Sequence, residues 1–454
     1  MRSFLVISVG FGLFGMVVGA AGQAHAQGWT DDGTVVRLTT KTDAVGIGTD
    51  LPTDKLHVIG NARIDGKVVS EILAAPGSAI LRLRIGGHDA LRLIPTKISP
   101  NLIGGSEVNV VGAGVVGATI AGGGDPSLAA PHPNVITDSY GTIGGGLGNQ
   151  AGNAAGTVND AQWATVGGGW ANTASGEGAT VAGGRLNVAS DIFTAVGGGN
   201  ENVASSLYST IGGGFVNVAS GQVSTVAGGG GNEASGWLSA IGGGWNNVAS
   251  GNRATVAGGD SNVAAGLTSF AAGYRAQALH SGAFVWADSK NFNFGSAVAN
   301  QFRVRTTGGA QFVSAVNGSG GSIAGVTLAA GGNSWAAISD RNVKDNITPI
   351  DGRDVVRRLA AIPITQWNLK AQDPTIKHLG PMAQDFYAAF GLGEDERYIN
   401  SADADGVALV SIQALYQMLT ALEQKTVELG RIAENIEDLR ARLARFERAA
   451  ERPR

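Results

Sequence analysis

A period of fifteen residues governs the middle of this chain. Val166, Val181, Val196, Ile211, Val226, Ile241 and Val256 each stand just before a glycine cluster, and every step between them is fifteen residues. Asn172, Asn187, Asn202, Asn217, Asn232, Asn247 and Asn262 run in phase, usually followed by Val-Ala-Ser as in Asn187-Val188-Ala189-Ser190. Upstream, Ile120, Ile143 and Val166 are 23 apart, one period plus an eight-residue insertion. Each unit alternates a short β-branched stretch with Gly and Asn-x-Ala-Ser-Gly turns and carries almost no helix-favouring charged residues, so it reads as one coil of a β-solenoid. The array is expected from about Ile103 to Tyr274. At roughly 3.3 Å per residue the contour is about 50 Å, enough for two short strands and two turns around a very thin core. A coil so thin is expected to pack against other copies, a homotrimer being the simplest arrangement.

The 72 glycines would suggest disorder if they were aperiodic; in register they are architectural. Two ligand-binding readings of them fail. A phosphate loop needs a hydroxyl after its lysine, and Gly66-Lys67-Val68 lacks one. A calcium-binding roll needs an aspartate in each turn, whereas only Asp191 and Asp260 lie near the turns of the regular stretch. His57, His88, His132, His280 and His378 show no metal-ligand spacing, so neither a metal nor another cofactor is expected.

A net charge of −4 with 15% charged residues offers no basic face for nucleic acid. The absence of cysteine means that no disulfide staples the fold, which must be held by packing and assembly. The first residues, Met1-Arg2, an apolar stretch from Phe4 to Ala21, and Ala24-His25-Ala26 before Gln27, read as a secretory signal peptide over residues 1–26. The alternative is an uncleaved membrane anchor. No later segment is expected to span a bilayer, so the mature chain is expected to be exported, secreted or on a bacterial surface.

The flanks have their own character. Residues 27–100 form an N-terminal β module, in which Val45-Gly46-Ile47-Gly48-Thr49 and Lys55-Leu56-His57-Val58 alternate apolar and polar residues. The array occupies residues 101–280. Phe284-Val285-Trp286-Ala287-Asp288 and Gln301-Phe302-Arg303-Val304-Arg305 read as longer strands of a β connector over residues 281–334, with Trp286 and Phe302 as core or interchain contacts. From about residue 335 to 410 the composition shifts toward helix formers. Residues 411–454 repeat apolar positions at steps of four and three, through Leu415, Leu419, Leu422, Leu429, Ile432, Ile436, Leu439, Leu443 and Phe446, which is a coiled-coil helix. Thr426 and the short step from Leu429 to Ile432 break its phase and imply local overwinding. The fold expected is mainly β, a trimeric glycine-rich β-solenoid or β-roll followed by a small α+β domain ending in this helix.

The array resembles the β-roll heads of trimeric autotransporter adhesins. Those end in an outer-membrane barrel, whereas this chain ends in Glu451-Arg452-Pro453-Arg454, so transport by that route is not expected. Ser339-Asp340-Arg341 with Lys344, followed by Gly380-Pro381-Met382-Ala383-Gln384-Asp385 and a terminal helix, resembles the intramolecular chaperone domain of phage tail spikes and endosialidases, the peptidase S seventy-four family. That resemblance implies a domain that assembles a trimer and then cuts itself off. Ser339 would be the nucleophile, Lys344 its general base, and Asp340 the neighbour of the cut. A serine needs a base to take its proton, and a lysine serves only if burial lowers its pKa from about 10.4. On the residues alone, Ser339 or Asp340 could equally cap a following helix and Lys344 could be a solvated surface lysine.

Three functions compete: a self-cleaving trimeric fibre, a fibre under an inert permanent cap, and a glycan-degrading spike. The last needs two carboxyl groups about 5–10 Å apart, and Glu177, Asp191, Glu201 and Glu233 sit on different coils. A host-surface or glycan ligand of the array is not specified by the sequence.

Overall fold

The computed structural model describes residues 29–31, 36–38, 45–47, 56–58, 80–127 and 132–450. The expected signal peptide lies outside the described residues. In the first of two units, Met1–Ala79, Trp29–Asp31 pairs antiparallel with Val36–Leu38, and Val45–Ile47 pairs parallel with Leu56–Val58.

In the second unit, Ile80–Arg454, the fifteen-residue period becomes a two-sheet parallel solenoid. One coil shows the plan. The strand Thr180–Val181 is followed by a glycine turn, the buried Asn187, the strand Val188–Ala189 and a second turn back to Ala195–Val196. Val181 pairs with Val196 and Ala189 with Ala204, so identical positions stack coil on coil. The result is a 12-stranded sheet facing a 15-stranded one. Between them, Val181, Val196, Ile211 and Val226 on one side meet Ala189, Ala204, Ala219 and Ala234 on the other, all at 0–1% exposure. Alanine is the residue that lets two strands face each other across so short a coil, while burial of each valine or isoleucine contributes about 1.5–3 kcal/mol. The thin core that seemed to need neighbouring copies is therefore already closed within one chain.

Asparagines brace the same interior. Asn217 Nδ2 donates to Asn202 Oδ1 (3.0 Å) and to the carbonyls of Gly213 (3.0 Å) and Gly229 (2.9 Å), and its Oδ1 accepts from the backbone and side-chain nitrogens of Asn232. Every side-chain hydrogen-bonding group of this buried residue is thus used. Glycine is mandatory where coils touch: Gly229 has φ 89°, and a Cβ there would lie 2.1 Å from the Gly244 carbonyl oxygen.

Left-handed backbone also recurs at residues that are not glycine. Trp163, Phe193, Tyr208, Val223 and Leu238 have φ between 52° and 62°. This conformation aims each N–H at the preceding coil: Phe193 donates to Glu177 O (2.8 Å) and Tyr208 to Ile192 O (3.0 Å). Bulky side chains in that region cost about 1–2 kcal/mol each.

The stacking continues through Phe284–Ala287 and Phe302–Arg305, the strands read as a connector. Phe270, Phe284 and Phe302 stack at 4.7 and 4.9 Å on the outer face, so Phe302 is a surface ring rather than a core one. At this end Asp288 Oδ1 pairs with Arg305 Nε at 2.7 Å, and Asp288 Oδ2 accepts from Thr307 N (2.8 Å) and Oγ1 (2.7 Å). The Thr307 hydroxyl and amide, with Arg305 in support, hold the Asp288 carboxyl well below the usual carboxylate range. At the other end the antiparallel strands Leu81–Ile85 and His88–Ile94 lead into Asn101–Gly104, which starts the parallel stack.

Beyond the solenoid, Ala310–Val316, Ser322–Leu328 and Trp335–Ala337 make an antiparallel sheet whose Phe312, Val316 and Trp335 are exposed. Three helices complete the described chain: α1 (Gly352–Ala361), α2 (Ala383–Phe390) and α3 (Ser401–Ala450). Val355, Ile362, Phe386 and Val407 form their common core. The heptad residues of α3 from Leu415 to Phe446 are 45–70% exposed. One expectation is corrected here: α3 is long and apolar enough to cross a membrane by length and composition, with a window of mean hydropathy 1.2. That value comes from the first half of the helix, where Val407, Leu409, Val410, Ile412, Leu415, Leu419 and Leu422 stand among few charges.

Candidate active site

The chain reaches Ser339 from the strand Trp335–Ala337, which pairs with Ser322–Leu328. Ile338 N donates to Gly325 O at 3.1 Å, pinning the peptide just ahead of the serine. Asp340 then caps a 3-10 turn, Arg341–Val343, its Oδ1 accepting from Asn342 N (2.9 Å) and Nδ2 (3.0 Å). An aspartate followed two residues later by asparagine folds this way because the carboxylate satisfies the amides that a short turn leaves free. Lys344 closes the turn by donating its own N–H to Arg341 O at 3.2 Å.

The turn folds the lysine back on the serine. Lys344 Nζ lies 2.7 Å from Ser339 Oγ, within hydrogen-bond reach for proton transfer. Both expected catalytic side chains are therefore brought together, and Asp340 stands beside them as the cap that shapes the turn. Ser339, Asp340 and Lys344 are all exposed.

The second motif is a strand-to-helix junction. His378–Gly380 pairs with Thr365–Trp367, and α2 starts at Ala383 with Asp385 in its first turn, where a carboxylate complements the helix dipole. Gln384 is exposed, so within one chain it is no core residue. Among the described residues no hydrogen bond joins this junction to Ser339 or Lys344. Its place is fixed instead by Phe386 in the helical core and by Arg358 Nη1, which donates to Ala389 O at 3.2 Å. Asp354 holds Arg358 in turn, and its carboxyl is kept low by Arg357 first and Arg358 second. Asp351 caps α1 by accepting from Arg353 N (2.9 Å) and Asp354 N (3.4 Å).

A pocket of about 460 Å³ between the helices is lined by Ile350, Val355, Phe390, Val407 and Val410 among others, and includes neither Ser339 nor Lys344. The serine and lysine thus stand on an open turn, an arrangement suited to acting on adjacent chain. Sequence reasoning missed the Ile338–Gly325 bond and the Asn342 side chain; the spacing Asp340-x-Asn342 was the available signal for the second. The carboxylates weighed for glycan hydrolysis do not converge: Glu177 lies at the turn after the alanine strand, Glu201 at the glycine turn, and Glu233 in the alanine-sheet strand Glu233–Ala234.

Fold and site together define a β-solenoid followed by a small helical domain that carries a serine–lysine pair at its entrance. Residues 339–391 match the peptidase S seventy-four family, described as Chaperone of endosialidase. No curated protein matches the chain.

Proposed function

We propose that this chain is an exported homotrimeric fibre, secreted or held at a bacterial surface, whose C-terminal domain is an intramolecular chaperone that aligns the copies and then cuts itself off beside Ser339. The 2.7 Å contact of Lys344 Nζ with Ser339 Oγ carries the cleavage reading. In the chemistry it supports, Oγ attacks the Ile338 carbonyl carbon, its proton passes to the Lys344 amine, and the amide nitrogen of Ser339 leaves protonated. Water then hydrolyses the resulting ester and frees the two chains. Holding the bond beside the nucleophile makes the attack intramolecular, so a modest base suffices for a single turnover.

Exposure of the pair supplies the coupling to assembly. A lysine acts as a base when it is desolvated, and in one chain Lys344 stands in solvent beside the exposed Val343 and Ile347. Burial by neighbouring copies would supply what the single chain lacks, so the cut would follow trimer formation. The same exposure favours the second reading, an adhesive or structural fibre whose cap stays attached because the lysine is never buried.

Denaturing electrophoresis of the mature chain beside its Ser339→Ala variant tests the two. The first reading expects a fragment of 116 residues (454 minus 338), or 115 if the cut follows Ser339, in the parent alone. An uncut parent leaves the permanent cap.

A further inference from the structure

The solenoid has two turn edges, and their chemistry differs. On the edge that follows the alanine strand, Tyr140, Trp163, Phe193, Tyr208, Val223 and Leu238 occupy one repeating position and are 37–51% exposed. Their rings run along the edge: Phe193 and Tyr208 stack at 5.7 Å with planes 4° apart, and Phe193 also covers Gly178 of the preceding coil. All six have left-handed backbone, as do Arg253 and Thr268 at the same position of later coils and Leu186 and Val216 on the opposite edge. Glycine takes that conformation without strain, and the chain does place Gly178 at this position. Retaining large apolar side chains where they are strained and exposed is a feature of functional surface, not of solenoid packing.

We infer that this edge is the seam along which copies of the chain pack side by side in parallel. The proposal rests on the homo-oligomeric reading above and identifies its contact face. The exposed apolar stripe is the longer on this edge, where Ile192, Trp237 and Leu267 extend it, whereas the opposite edge exposes Phe215, Val216 and Trp245; charge is also sparser here. Near the axis of a parallel cyclic assembly each side chain meets its own copies, so charges there repel. From Gln162 to Leu238 the two tip positions of the apolar turn carry a single charge, Glu177. Over the same coils the tips of the opposite turn carry Arg185 and Glu201, and in the coils that follow Arg253 stands on the first edge and Asp260 and Arg275 on the second. A second copy also matches the stripe coil for coil, since both repeat at the strand spacing of about 4.8 Å.

The natural absence of cysteine makes the test direct. Tyr208→Cys on the seam and Val216→Cys on the opposite edge are made in the full-length chain and treated with a short bismaleimide. The expected result is a shift of Tyr208→Cys from the monomer to a covalent dimer band, with Val216→Cys left as monomer. Leu207→Cys, next along the same turn and outside the left-handed positions, repeats the test if Tyr208→Cys fails to fold. Light scattering on the untreated samples separates the failures. An oligomer linked through Val216→Cys, or not linked through either seam cysteine, overturns the seam alone; a monomer overturns both the seam and the assembly it rests on.

Discussion

Lys344 reaches back over a single 3-10 turn to place Nζ 2.7 Å from Ser339 Oγ, with Asp340 capping the turn between them. The contact is built from local sequence, so it forms in a single chain, whereas desolvation of the amine does not. Lys344→Arg separates these two requirements. Guanidinium keeps a positive charge at this turn but stays protonated, so it cannot serve as a base. Cleavage is expected to slow by roughly 10²–10⁴-fold, the usual contribution of a general base. Fragment release followed by gel densitometry measures it, and cutting at the parental rate would remove Lys344 from the chemistry.

The Asp288 cluster predicts a pH dependence at the end of the solenoid. Its carboxyl is held below the ordinary value by Thr307 and Arg305, so the folded state binds its proton less readily than the unfolded chain. The stabilisation is therefore complete above the ordinary aspartate pKa of about 3.9 and is lost as pH falls below it. Protection of the Phe302–Arg305 amides, their exchange relative to an unfolded chain at the same pH, is expected to weaken below about pH 4 in the parent. In Asp288→Asn that protection should already be weakened at neutral pH and change little on acidification.

The fifteen-residue period made the coil legible because every coil must present the same inward Val, Asn and Ala at the same places. It failed to foretell the last coils for a related reason. Phe270 pairs with Phe284 and Phe284 with Phe302, steps of fourteen and eighteen residues, so the backbone ladder continues after the sequence period has lapsed. At the site, type and spacing left Ser339 and Lys344 as readily a capped turn with a surface lysine, and their pairing was suggested by the family resemblance. Their exposure was not legible, because it depends on what covers the turn. The seam residues were equally hidden: Phe193 and Tyr208 look like core aromatics until the left-handed turn is known to hold them outside.

Neighbouring glycines provide a sharp test of the coil geometry. Gly229→Ala must combine φ 89° with a Cβ 2.1 Å from Gly244 O, and is expected to destabilise by about 2–5 kcal/mol. Gly228→Ala meets nothing closer than 3.9 Å and should stay within about 0.5 kcal/mol of the parent. Thermal melting of the pair measures the difference; equal melting temperatures would contradict the coil-to-coil contact at Gly229.

Asn217→Ala addresses the asparagine column. It removes a side chain that bonds Asn202, Gly213 and Gly229 and leaves these buried partners unsatisfied, a cost of about 2–4 kcal/mol. Denaturant unfolding should show a lower midpoint, with the far-ultraviolet spectrum unchanged at low denaturant. A midpoint at the parental value would mean that water replaces the amide without loss.

Register gives the last prediction. Val188, Val203 and Val218 follow the buried Asn187, Asn202 and Asn217 on successive coils, so two copies displaced by one coil still meet like with like along most of their length. Local contacts thus discriminate weakly against slippage, and the alignment must come from a region without the repeat. The exposed heptads of α3, whose phase breaks at Thr426, are such a region. A chain ending at Ile338 is therefore expected to assemble into particles of mixed length, while the Ser339→Ala chain, which keeps its cap, gives one species. Light scattering and electron microscopy distinguish the two, and a uniform particle from the truncated chain would show that the solenoid sets its own register.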